Sequence, residues 1–230
     1  MQLNNNQIDH IKQLFFSLTN SLDSISYPIN ESIDCLTDAI QINVDPMIYF
    51  SKPRQTHEYL TFGAWRVMTN NQALALTQQS ESIRCFGINS FDGQSDHVKN
   101  EYWVLPKCWL EKNVDQWAFH VVLDENTMSK EKAWLQIDAI IQRINQSDSF
   151  FLDQHYSSVK NHPELNDWVD SVNQAKKAIT EKKLEKVVLA RQTTFEFTEN
   201  VNPFSLLKKV QLKDNGVYNF CVKQSNNYSF

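Results

Sequence analysis

Ile8, Ile11, Leu14, Phe15, Leu18 and Leu22 recur at intervals of three and four, a spacing that predicts an amphipathic helix over 7–22. The stretch SYPINESIDCLTDAIQINVDP that follows is mixed, with a short strand expected near its end. Residues 47–110 change character: MIYFSKP, a polar RQTH turn, EYLTFGAWRVM and IRCFGINSF are runs of β-branched and aromatic residues. A polar loop is expected from Asp92 to Asn100, and EYWVLPKCWLEK with DQWAFHVVLDE reads as a hairpin. Pro106 marks an edge or a bulge in its strand, because it has no N–H to give to the ladder.

Helical spacing returns over 129–147, where Ser129 is placed to cap and Ala133, Ile137, Ile140, Ile141 and Ile144 form a stripe. A second helix is expected over 163–181, with Pro163 in its first turn and Leu165, Trp168, Val169, Val172, Ala175 and Ile179 on one face. The run LEKVVLARQTTFEF then predicts a strand from about Lys186 to Phe197, FSLLKKVQL (204–212) a short helix, and GVYNFCVKQSNNYSF a strand, a turn and the start of another strand. Strands followed by helix, helix, strand, helix and strand make an α+β (mixed α/β) chain with a mainly antiparallel sheet and packed helices. An apolar stretch that ends just after a turn signal leads to the expectation that the natural polypeptide continues past Phe230.

Alternation divides the expected 186–197 strand into two faces. Val187, Leu189, Arg191, Thr193, Phe195 and Phe197 make the expected core face; Lys186, Val188, Ala190, Gln192, Thr194 and Glu196 make a wetter one, whose small residues suit the floor of a cleft. Lys186 has two readings. It is either a snorkelling lysine with its stem on apolar neighbours, or an amine placed for chemistry, since burial and nearby positive charge both favour the neutral form that takes a proton from water.

Composition narrows the function classes. The 230 residues carry a net charge of −5, with no basic stripe to follow a nucleic acid backbone. No apolar run approaches the roughly 18 residues that span a bilayer, and the polar N-terminus is unlike a secretory signal. Cys35, Cys85, Cys108 and Cys221 are scattered, with no C-x-x-C pair, and are expected as reduced core thiols of a cytoplasmic protein. Gly63, Gly87, Gly93 and Gly216 stand apart, so this stretch holds no clustered-glycine phosphate loop. The six histidines show no i, i+4 pair. His120 is expected as a satisfied strand histidine, Asp124 and Glu125 as a turn, and Trp65, Trp103, Trp109 and Trp117 as packing residues.

The segment DWVDSVNQAKKAITEKKLEKVVLAR (167–191) resembles the entry to the chorismate-binding enzyme fold, where a helix leads into a K-V-V-L-A/S-R strand. RCFGINSFD (84–92) and YWVLPKCWLE (102–111) resemble the G-x-N-A-F-D and F-x-L-P-R stretches of the menaquinone-pathway isochorismate synthases, and YNFCVKQSNNYSF is similar to the strand before the family's F-x-G-x-S-P-E signature. The resemblance implies the N-terminal half of that anthranilate synthase-like fold. It implies a single incomplete domain: a helical segment over 1–45, a sheet region over 46–160, and the start of the chorismate-binding region over 161–230, ending before S-P-E.

It also implies a reaction, in which water attacks C2 of chorismate and the C4 hydroxyl leaves, with Mg²⁺ as cofactor. The lysine of K-V-V-L, here Lys186, is implied as the general base; ammonia-using members carry glutamine there. The acid, the metal ligands and the arginine that holds a substrate carboxylate belong to later segments and have no counterpart in this chain. Chorismate is the implied partner, with no nucleic acid or membrane, and the full-length protein is expected to be a monomer. The family often has glycine where Lys182 stands; if that position needs positive φ, lysine costs about 1 kcal/mol. Lys107 stands in place of the L-P-R arginine, keeping the charge without the planar fork. A salicylate synthase or other chorismate-utilising enzyme, or a non-catalytic α/β binding module, are the alternative readings.

Overall fold

The computed structural model describes residues 2–31, 33–39, 42–89, 101–146, 155–198, 201–224 and 227–229. The expected Asp92–Asn100 loop and the turn at 225–226 lie outside them. The chain forms two compact units, Met1–Leu152 with Asn202–Phe230, and Asp153–Val201.

The larger unit is built on an eight-stranded sheet. Its strands are β1 (Leu22–Ile29), β2 (Met47–Ser51), β3 (His57–Met68), β4 (Phe86–Asn89), β5 (Glu101–Asn113) and β6 (Gln116–Asp124), with β9 (Asn219–Gln224) and β10 (Asn227–Ser229) from the C-terminal segment. They lie in the order β1-β6-β5-β3-β2-β9-β10, with β4 on the free part of β5, and every pairing is antiparallel. Pro106 sits opposite Ala64, where the β3–β5 register shifts, the place where a missing N–H costs least. β1 corrects the sequence reading: the strand expected near the end of the 26–46 segment falls at its beginning, and part of it takes up the end of the expected 7–22 helix. Leu22 and Ile29, buried at its two ends, close it along β6.

Helices cover one face of this sheet: α1 (Asn5–Ser17), α2 (Cys35–Ala39), α4 (Lys130–Asn145) and α6 (Pro203–Lys213), joined on the other side by the short α3 (Asn70–Thr77). α1 starts where the side chain of Asn4 accepts from Gln7 N–H and the Gln7 side chain accepts from Asn4 N–H, a reciprocal cap. Ile8, Ile11 and Phe15 of α1 and the Ala133–Ile144 stripe of α4 meet Leu60, Phe62, Leu110, Phe119 and Val121 of the sheet in one core. Each such fully buried side chain contributes about 1.5–3 kcal/mol. Ser129 stands at the N-cap of α4, as expected, but its side chain makes no capping bond to the helix backbone. α3 has no counterpart in the sequence reading: with Ala73 and Leu76 alone buried, it has too narrow a stripe to register as periodicity.

The opposite face carries Leu22, Leu105, Trp109 and Val122 with Leu76 of α3, and a third cluster of Ile48, Tyr102, Val104 and Val222. Gly87 of β4 lies flat on this face. A Cβ added there would fall 2.3 Å from the Tyr102 carbonyl oxygen and 2.7 Å from the Trp103 ring, so only glycine lets β4 reach β5.

The smaller unit consists of β7 (Tyr156–His162) paired antiparallel with β8 (Gln192–Phe197), and α5 (Leu165–Thr180) between them. Pro163 precedes α5 instead of lying in its first turn; Glu164 is the N-cap. α5 buries none of its residues, and Leu165, Val169 and Ile179 of its apolar face are exposed. The structure meets the condition raised for position 182, where the helix ends through a left-handed residue. Lys182 has φ 58°, Lys183 N–H donates to the Ala178 carbonyl and Lys182 N–H to that of Ile179, the pair of bonds that closes a helix through a left-handed residue. Lysine meets a Cβ clash there that glycine avoids. Lys182→Gly is expected to raise the stability of this unit by about 0.5–1 kcal/mol, read as slower hydrogen exchange of the α5 amides.

Candidate active site

The strand expected from Lys186 is shorter than its sequence suggests. Residues 186–191 lie outside regular secondary structure, and the ladder with β7 begins only at Gln192, opposite His162. The expected core face is correspondingly open: Val187 and Leu189 are exposed, and Phe195 of β8 is also at the surface, while Val188 of the expected wetter face is 80% exposed. The physical reason is partnership. Val-Val-Leu has the composition of a buried strand, but strand burial needs a neighbour on the sheet, and β7 supplies one only to residues 192–197.

Lys186 is exposed and makes no hydrogen bond or ion pair among the described residues. It follows the Lys182 turn by four residues, at the head of the extended VVLA segment. Arg191, placed on the core face by alternation, instead donates from Nε to the Pro163 carbonyl (3.1 Å), tying the end of this segment to the start of α5. Lys177 and Lys183 reach Glu181, as solvated lysines of that helix end do. Among the described residues no three His, Cys, Asp or Glu side chains come together to hold a metal ion.

A second polar cluster lies in the larger unit, beside a cleft of about 900 Å³. His120 of β6 is stacked flat on Trp109 of β5, with ring centroids 4.4 Å apart and planes within 1°. Its Nε2 lies 3.3 Å from Glu111, whose other oxygen is 3.4 Å from Arg84. Arg84 also donates to the Tyr59 hydroxyl at 3.3 Å and lies over that ring. Trp109, Phe86, Tyr59, Phe50 and Tyr218 continue from His120 as a row of rings 5.7–6.4 Å apart across the sheet. Sequence reasoning placed His120 on a strand as a satisfied residue, and so it is. It did not foresee Glu111 and Arg84 as its neighbours, since the β5–β6 register and the β4 crossing decide which residues meet.

Burial holds His120 neutral, with its pKa pushed down to about 4, although Glu111 acts in the opposite direction. The folded value lies below that of a free imidazole, so the unfolded chain takes up the proton first as the solution is acidified. Stability is therefore complete above about pH 6.5 and declines as the pH falls toward 4. Urea unfolding at pH 7 and pH 5 is expected to differ by about 1–2 kcal/mol from this group, and His120→Phe, which keeps the stack on Trp109, is expected to remove that part of the difference.

A family model described as chorismate binding enzyme matches residues 48–230. The antiparallel sheet with its packed helices, and a match over that span, make this chain a member of the chorismate-binding enzyme family. Its relatives are specific ones. Isochorismate synthase MenF of Escherichia coli (strain K12) is 22% identical over 200 residues, covering 85% of this chain and 45% of that protein. The solved structure of MenF, the menaquinone-specific isochorismate synthase from Escherichia coli, superposes with a TM-score of 0.74 at 19% identity, covering 95% of this chain and 52% of that one. The chain thus spans about half the length of the relatives it matches, and its fold is that of the corresponding half. No helix among the described residues is long and apolar enough to cross a membrane.

Proposed function

We propose that this chain is the N-terminal half of an isochorismate synthase, in which Lys186 takes a proton from the water that attacks C2 of chorismate. The observation that carries the reading is the family match over 48–230, which includes the K-V-V-L-A-R run, with a lysine at the position where ammonia-using members have glutamine. Attack by water at one ring carbon and loss of hydroxide from another require a base on one face and an acid on the other. Lys186 is the candidate for the first. It stands at the end of a segment held on both sides, by the Lys182 turn and by the Arg191–Pro163 bond, and its ammonium is free of any carboxylate among the described residues. That leaves it available to a ring-sized substrate once further polypeptide encloses the segment.

Mg²⁺ and the acid belong to the whole enzyme in this proposal, with ligands outside the described residues. A cytoplasmic setting agrees with four cysteines in the thiol form, three of them buried. The 230-residue chain alone, incubated with chorismate and Mg²⁺, is expected to form no isochorismate, whereas a polypeptide that continues into an S-P-E stretch and acidic helices is expected to form it. Product analysis by chromatography checks both. Robust turnover by the short chain overturns the division of labour proposed, and salicylate as the product moves the assignment to the sister activity.

A further inference from the structure

We draw no further inference here: the strongest candidate, the row of rings from Tyr218 to His120 on the open face of the eight-stranded sheet with the apolar groove of about 370 Å³ beside it, carries nothing because nothing in the structure shows what covers it.

Discussion

Lys186→Met, made in an isochorismate-forming protein that contains this chain, is expected to lower kcat by about 10²–10⁴-fold, the contribution typical of a positioned general base. Methionine keeps most of the length and the apolar stem and removes the group that accepts a proton. Lys186→Arg is the sharper comparison. It keeps the positive charge, but a guanidinium does not release its proton in a protein, so it offers no lone pair to water. Both variants are expected to be equally slow. Neither is expected to change the unfolding midpoint beyond error, because Lys186 is exposed and holds no partner among the described residues. Steady-state assays beside urea melts separate the two effects. An arginine variant that keeps most of the wild-type rate would show that position 186 supplies charge alone, and the base would have to be sought elsewhere.

The largest loss of stability is expected at Arg66. Asp124, at the end of β6, is fully buried, and its two carboxylate oxygens accept from Arg66 Nε at 2.5 Å and Nη2 at 2.7 Å. A third bond comes from Asn126 N–H at 3.2 Å, which turns the chain toward α4. Arg66→Met removes the fork and leaves a carboxylate that has lost access to water. Breaking a buried pair from one side costs about 3–5 kcal/mol. The Arg66 side chain is 30% exposed, so water enters the vacated space and the lower end is expected, about 3 kcal/mol. Arg66→Lys is expected to recover only part, since an ammonium cannot meet both oxygens in the plane of the carboxylate. Chemical unfolding of the three proteins at neutral pH measures the series. A methionine variant within 1 kcal/mol of wild type would mean that Asp124 is hydrated in solution. The sequence reading took Asp124 and Glu125 for a turn. The turn is there, with Thr127 N–H donating to the Asp124 carbonyl, but the ion pair to a residue 58 positions earlier was invisible.

Legibility followed the range of the interaction. The α4 stripe and the α6 run were readable because a helix is decided by neighbours three and four residues away, and the structure places both within two residues of the expected ends. The hairpin of β5 and β6 was readable for the same reason, its two runs being separated by a short polar turn. β7 was missed because YSSVKNH has little apolar character and is a strand only through its pairing with β8, some thirty residues later. The opposite error at 186–191 has the same root: an apolar β-branched run without a partner strand is not a strand.

The sequence by itself settled the fold class, the longer helices, most strands and the membership of a family, because each rests on local periodicity or on a short run of specific residues. Only the tertiary structure decided which side chains share a site: that Arg66 meets Asp124, that His120 lies on Trp109 beside Glu111 and Arg84, and that Lys186 stands exposed ahead of its strand. Those outcomes depend on strand register and on what packs above a face, and both are set by contacts between residues far apart along the chain.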